Sequence, residues 1–254
     1  MITMNKMDGK IGLGVVTYNR PDYLRQCLEA LEKNNWGGAN YIIVIDDSSS
    51  TKNRQLIERL EEKYEDELGI VTFLYKIDNK GVANSKNVVF NEFGQCCEHI
   101  FIIEDDILMQ HPDTCKLYID YAKMVGVKHL NFALHGPMNI DMKSNHLGTC
   151  VYPNCVGAFS YYHKDCIDKV GYFDENFYNA FEHVYHTYKI AKAGLTTPFW
   201  YFADHPMSDK LLKEIPGSID NSSIRTSEDW QDNIDKAKQH WIKKEGSWLP
   251  PRPY

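Results

Sequence analysis

The first 110 residues alternate between short β-branched runs and amphipathic stretches, and this period constrains the fold more than any other feature of the chain. The runs 11–17, 41–45, 70–75 and 99–103 are strand-sized. The stretches after Pro21, around Leu56 to Tyr64 and from Val82 to Phe93 carry apolar residues at helical spacing. Parallel strands need long crossovers, and helices of this length supply them. The pattern predicts three β-α units and a fourth strand running into Glu104, Asp105 and Asp106, that is, an α/β domain with a Rossmann-like, mostly parallel central sheet flanked by helices.

Beyond residue 110 the pattern loosens. It predicts a helix over 113–125, a strand near 130–134, a Gly/Pro/Asn-rich loop over 136–148, a strand over 155–162 and a short helix after it. A helix over 180–193 closed by Gly194 and a last strand over 195–202 follow. From Met207 the chain carries Trp230, Trp241 and Trp248, too apolar to hang free, so it reads as a wrapping tail with one amphipathic helix near 228–244. The division is residues 10–110 and 111–206 as two halves of one domain, with 207–254 as the tail.

At 254 residues one core suffices. A net charge of −7 without a dense Lys/Arg run excludes the electrostatic footprint of a nucleic-acid binder. No apolar run approaches the ~20 residues of a membrane span, and Met1 to Lys10 holds no signal core. The expectation is a cytoplasmic protein, free or peripherally bound at the inner face of a membrane. Seven cysteines without a Cys-x-x-Cys pair read as reduced, mostly buried thiols.

In open α/β sheets ligands bind beyond the carboxyl ends of the strands. Here those ends are all polar: Thr17 to Arg20, Asp46 to Ser48, Asn79 to Gly81, and Glu104 to Asp106. Three carboxylates at a buried strand end repel one another unless a cation joins them. Oxygen donors select a hard ion, Mg²⁺ or Mn²⁺, which keeps positions open for substrate phosphates. The chain lacks both Gly-x-x-x-x-Gly-Lys-Ser/Thr and Gly-x-Gly-x-x-Gly, so no backbone nest neutralises a diphosphate unaided. Metal and diphosphate imply each other.

The segments VVTYNRP (15–21), VIDDSS (44–49), GVANSKN (81–87), EDD (104–106), GYFDE (171–175) and FEH (181–183) occur in order over roughly residues 10–206. With them the chain resembles the GT-A glycosyltransferases, family 2 most closely. The resemblance implies a GT-A fold, a nucleotide-diphospho-sugar donor, UDP-linked by preference, and a Mn²⁺ or Mg²⁺ cofactor. Residues 10–110 would bind the nucleotide sugar and 111–206 would hold the acceptor and the catalytic group. The implied acceptor is a saccharide, such as a growing polysaccharide, or a lipid-linked glycan.

Residue by residue, the resemblance implies that Thr17, Tyr18 and Arg20 line the nucleotide pocket, Asp46 accepts a hydrogen bond from the base, and Lys86 lies near the base or diphosphate. Asp105 would contact the ribose or sugar. Asp106 would bind the metal, with Glu104 beside it, and His205 in FADHP (202–206) would close the site. The chain departs from the family at the base: His183 stands where an aspartate is usual, leaving Glu182 as the first candidate general base and His183 as the alternative. The segment 182–186 also offers His-x-x-His spacing for zinc, but without a third ligand, and His186 reads as a surface or supporting residue. The rival readings are a nucleotidyltransferase, which lacks its Gly-rich phosphate loop here, and a binding module of the same fold that has lost its base.

Overall fold

The computed structural model describes residues 9–68, 70–134 and 137–252; Gly136, at the start of the expected loop, and the last two residues of the tail lie outside the described residues. The element order is β1 (Ile11–Thr17), α1 (Pro21–Lys33), β2 (Tyr41–Asp46), α2 (Thr51–Leu68), β3 (Val71–Tyr75), α3 (Gly81–Phe93), β4 (His99–Glu104), β5 (Ile107–Met109), α4 (Thr114–Val125) and β6 (His129–Asn131). Then come β7 (Ser144–His146), β8 (Thr149–Tyr152), β9 (Phe159–His163), α5 (Lys164–Val170), α6 (Glu182–Lys192), β10 (Phe202–Ala203), α7 (Ser208–Leu211), β11 (Leu212–Glu214) and α8 (Trp230–Glu245).

The six-stranded sheet runs β3-β2-β1-β4-β9-β6. Strands β1 to β4 are mutually parallel, and β9 lies antiparallel between β4 and β6. Each strand alternates its side chains between two buried faces. Leu13, Val15, Val44, Phe101 and Ile103 pack toward α1, α2 and α4, whereas Val16, Ile43, Ile45, Ile100 and Ile102 pack toward α3 and α5. Helix α3 comes very close to β1: a Cβ on Gly14 would stand 2.3 Å from a Val89 methyl carbon, so only glycine fits there. The register sets Thr17 opposite Asp46 and Val16 opposite Glu104, which brings three polar strand ends to one edge.

Two expectations change in the second half. The expected last strand over 195–202 shortens to β10, because Tyr201 N–H closes a turn on the Pro198 carbonyl at 2.9 Å and Trp200 is left-handed, with φ 79°. The end of the expected loop forms β7, which pairs with β8 just beyond it in an antiparallel hairpin that β10 extends into a three-stranded sheet. In a further small sheet β11 pairs with β5, so the tail begins by doubling back beside the acidic strand end.

Helix α8 closes the fold over α6. Trp241 is fully buried, its ring 4.9 Å from Tyr185 and 5.1 Å from Tyr188. Glu245 accepts from Tyr185 and Tyr188 hydroxyls at 2.9 and 3.1 Å and pairs with Lys192 at 3.0 Å. No helix among the described residues is long and apolar enough to cross a membrane.

His186, expected as a surface or supporting residue, is buried between α6 and the sheet, stacked 4.3 Å from Phe173. Its Nε2 donates to the Gly171 carbonyl at 2.9 Å, its Nδ1 is buried without a partner, and burial pushes its pKa down to about 3. A neutral ring stabilises the fold fully above the unfolded histidine pKa of ~6.5 and progressively less as the pH falls through it. Asp105 and Asp204, raised by burial to about 8 and 7, titrate in the opposite sense, so a difference between variants isolates the ring. The stability of the protein relative to His186→Phe should fall by on the order of 2–3 kcal/mol between pH 7.5 and 4.5 in urea unfolding. A difference that does not change with pH would contradict a neutral buried imidazole.

Candidate active site

The ends of β1, β2 and β4 build a corner of opposed charges. Thr17 Oγ1 donates to Asp105 Oδ2 at 2.7 Å. The Arg20 guanidinium spans the two aspartates, with Nη1 3.1 Å from Asp105 Oδ1 and Nη2 3.2 Å from Asp106 Oδ2, and it lies 4.2 Å over the Tyr23 ring. Burial pushes the Asp105 carboxyl up to about 8; Arg20 opposes this and neighbouring Asp106 adds to it. The loops after β1 and β2 are zipped together, since Asn19 N–H donates to Ser49 Oγ and Ser50 N–H to Asn19 Oδ1, both at 2.7 Å. Asn19 and Ser48 take left-handed φ of 56° and 63°, and so does Phe181, at 63°, just before Glu182. Such strain persists only where the surroundings fix it.

Asp46 does not face this corner. It is 1% exposed, and its oxygens accept from Ser49 N–H and Oγ and from Arg54 Nη2 at 3.2 Å. The neighbouring Asp47 takes the cavity position, paired with Lys76 and accepting from Lys80 N–H at 3.1 Å.

Lys86 is likewise turned inward rather than toward a nucleotide. The residue is 1% exposed, and its ammonium donates to Glu104 Oε1 at 2.9 Å, Glu182 Oε1 at 3.1 Å and the Gly157 carbonyl at 3.1 Å. Burial would lower its pKa, but the two carboxylates raise it well above the ordinary value. Burial alone would raise the Glu182 carboxyl, yet Lys86 and then His183 outweigh it and hold it well below the usual carboxylate range. His183 Nδ1 lies 3.0 Å from the same Glu182 oxygen, and its side chain is 21% exposed. Gly157 backs this group: a Cβ there would stand 2.8 Å from His183 and 3.1 Å from Lys86 Nζ.

Two cavities meet here. One, of about 290 Å³, is walled by Thr17, Tyr18, Arg20, Asp47 and Asp105 from the strand ends, Tyr178 from the segment before α6, and Ser227 and Asp229 from the tail. The other, of about 370 Å³, is walled by Asp106, Gly157, Glu182 and His183, with Arg225 and Trp230 of the tail. Arg20 and Glu104 line both. Of the residues expected at the site, Thr17, Tyr18, Arg20, Glu104, Asp105, Asp106, Glu182 and His183 are brought together, whereas Asp46, Lys86 and His205 line neither cavity.

His205 is buried with its ring 5.4 Å from Tyr118 and 5.1 Å from Tyr121, and its Nδ1 accepts from Met207 N–H at 3.1 Å. Burial pushes its pKa down to about 4. Asp204 beside it is a structural hub, accepting from Tyr118, Ser208 and the Ala133 and His205 N–H groups at 2.7–3.0 Å. Glu104 is spent on Lys86 and Asp106 on Arg20, so the expected metal set Glu104, Asp106 and His205 is not assembled. Among the described residues no group of three or more His, Cys, Asp or Glu is gathered to hold a metal. The tail residues at the cavities were missed because the Ser/Thr-rich stretch before α8 carries no motif; only its position after a strand-paired β11 reveals them.

Residues 13–123, which run from β1 into α4, match the profile of glycosyl transferase family 2. No curated protein matches the chain by sequence. Among solved structures, the chain is similar to mannosyltransferase PcManGT from Pyrobaculum calidifontis in complex with GDP-Man and Mn²⁺, with TM-score 0.64 and 16% identity over 99% of this chain and 69% of that one. It is similar to S. aureus TarS 1-349, with TM-score 0.56 and 15% identity over 93% of this chain and 72% of that one. It is also similar to GalNAc-T7 with UDP, GalNAc and Mn²⁺, with TM-score 0.55 and 12% identity over 73% of this chain and 41% of that one, so it spans less than half of that protein. At these identities the likeness is one of fold. The architecture is that of the GT-A fold.

Proposed function

We propose that the chain is an inverting, metal-dependent glycosyltransferase that moves a sugar from a UDP-linked donor to a hydroxyl of a saccharide or lipid-linked glycan. The observation that carries this reading is the joining, at Arg20 and Glu104, of a cationic and carboxylate corner with a cavity that holds a half-buried imidazole on a buried carboxylate. The donor occupies the strand-end cavity, its base and ribose against Tyr18, Asp47 and Tyr178 and its diphosphate toward Arg20. The preference for uridine rests on the family resemblance, as does the class of acceptor.

The acceptor hydroxyl attacks the anomeric carbon from the side of His183. Glu182 is a poor base, because its oxygen already accepts from Lys86 and His183 and its carboxyl is held far below the usual range. We therefore assign the proton transfer to His183, with Glu182 as its positioning residue. With Nδ1–H held by Glu182, the other ring nitrogen takes the hydroxyl proton as the C–O bond forms and the nucleoside diphosphate leaves. One displacement inverts the centre.

The carboxylates of Asp105 and Asp106 at the cavity wall, paired with Arg20 as they stand, offer hard oxygens that would suit Mg²⁺ or Mn²⁺ if Arg20 moved aside, with the remaining positions left to water and phosphate oxygens. When bound, such an ion would neutralise the leaving diphosphate. His205 and Glu104 are left out of this assignment because their side chains are engaged elsewhere.

A panel of UDP- and GDP-sugars with Mn²⁺, offered with simple saccharides and scored by nucleoside diphosphate release, tests the proposal. Release from a UDP-sugar, stimulated by an acceptor, is expected. Binding without release from any donor would identify a module without catalysis, and pyrophosphate release from a nucleoside triphosphate would identify a nucleotidyltransferase; either overturns the reading.

A further inference from the structure

The guanidinium of Arg20 already does for Asp105 and Asp106 what a divalent cation would do. It bridges one oxygen of each at 3.1 and 3.2 Å, fixed from behind by the Tyr23 ring at 4.2 Å. We infer that Arg20 is the resident counter-cation of this carboxylate pair, that a divalent metal binds only by displacing it, and that metal and nucleoside diphosphate therefore bind as linked events. The inference rests on the proposed metal and donor site and deepens it.

Three observations carry it. The metal and the guanidinium would compete for the same carboxylates, and two cations in contact with the same oxygens repel strongly away from bulk water. The carboxylates alone make a weak seat, since Glu104 beside them is held by Lys86 and no group of three or more His, Cys, Asp or Glu among the described residues is gathered to hold a metal. Arg20 is incompletely satisfied where it lies, because its Nε is buried without a hydrogen-bond partner, and it borders both cavities, so a side-chain rotation keeps it within the site.

A diphosphate resolves all three at once. Its oxygens supply the ligands that the protein lacks for the metal, and the planar guanidinium finds a second anion that it can grip with two parallel hydrogen bonds. Each ligand thus makes room for the other, and by linkage the enhancement is mutual. Without nucleotide, Arg20 keeps the carboxylate pair neutralised and the metal out.

The test is a Mn²⁺ titration of the full chain followed by the electron paramagnetic resonance of free Mn²⁺, with and without UDP. Wild type should bind Mn²⁺ alone weakly and tighten at least tenfold with UDP. Arg20→Ala should bind Mn²⁺ alone at least tenfold more tightly than wild type and gain less from UDP. Mn²⁺ alone should raise the Tm of Arg20→Ala but not that of wild type. Should Arg20→Ala not fold, Arg20→Lys, which has a point charge in place of the fork, should bind Mn²⁺ alone more tightly than wild type and gain less from UDP. Equal Mn²⁺ affinity in wild type and variant, weaker binding by the variant, or no Mn²⁺ binding by either even with UDP would each overturn the inference. Equal affinities in an enzyme that turns over a nucleotide sugar would sink this inference alone. A tenfold gain in a chain that releases nucleotide from no donor would instead sink the transferase reading.

Discussion

His183→Asn should lower kcat by ~10² to 10⁴ with nucleotide binding unchanged, the usual worth of a positioned general base. Asparagine keeps a polar side chain beside Glu182 but has no lone-pair nitrogen to take a proton from the acceptor. Glu182→Gln should cost less than His183→Asn, because its effect is indirect: the amide no longer holds the imidazole tautomer and leaves Lys86 one carboxylate short. Its signature should be a smaller fall in kcat at unchanged nucleotide affinity, together with a loss of thermal stability that His183→Asn does not share. Nucleoside diphosphate release at saturating donor and acceptor, set beside calorimetric nucleotide affinity, separates the two. If Glu182→Gln abolishes turnover while His183→Asn retains it, Glu182 is the base and the roles assigned here are reversed. If both retain near-normal turnover, the proton goes elsewhere.

The residues legible in the sequence are those whose place follows from strand polarity. Glu104, Asp105 and Asp106 follow an apolar run too regular to be anything but a central strand, and Thr17 to Arg20 follow another; parallel register then brings them to one edge without further information. Lys86 and Asp46 carry the same polar signal, yet direction within a turn or around a helix is set by tertiary partners. Lys86 turns toward Glu104 and Glu182, one of them 96 residues away, and Asp46 turns toward Ser49 and Arg54. His205 lies in a plausible sequence position, but two tyrosines of α4 claim its ring. The segment 195–202 has strand composition without a partner long enough to pair, so its aromatics pack on the tail instead, as Phe199 does 6.2 Å from Trp241. The tail's contribution to both cavities was invisible because it depends on the β5–β11 pairing, a contact between three-residue strands that no periodicity announces.

Lys86→Met should cost about 3–5 kcal/mol of stability, the usual consequence of removing one partner from a buried ionic group. Methionine fills much the same volume, so the loss is electrostatic rather than a cavity. Without the ammonium, the Oε1 atoms of Glu104 and Glu182, both within about hydrogen-bonding distance of one point, face each other in a site where Glu182 is only 4% exposed. One carboxylate must then take a proton. In the native chain both carboxyls are lowered by Lys86 against the effect of burial, so their contribution is present above the unfolded carboxylate pKa and lost as the pH falls through the lowered folded value. In Lys86→Met the Glu182 carboxyl is raised instead, and the penalty is largest at neutral and alkaline pH and shrinks toward pH 5. Urea unfolding at pH 8 and pH 5 should show this convergence. The double variant Lys86→Met/Glu182→Gln should recover part of the loss at pH 8, since it removes the charge left unpaired. Turnover should fall in the single variant as well, because a protonated Glu182 can no longer be relied on to accept the His183 Nδ1 proton. A loss of less than 1 kcal/mol at pH 8, or a loss that does not change with pH, would mean that the buried ammonium does not hold these carboxylates ionised and that the dyad is not poised as described.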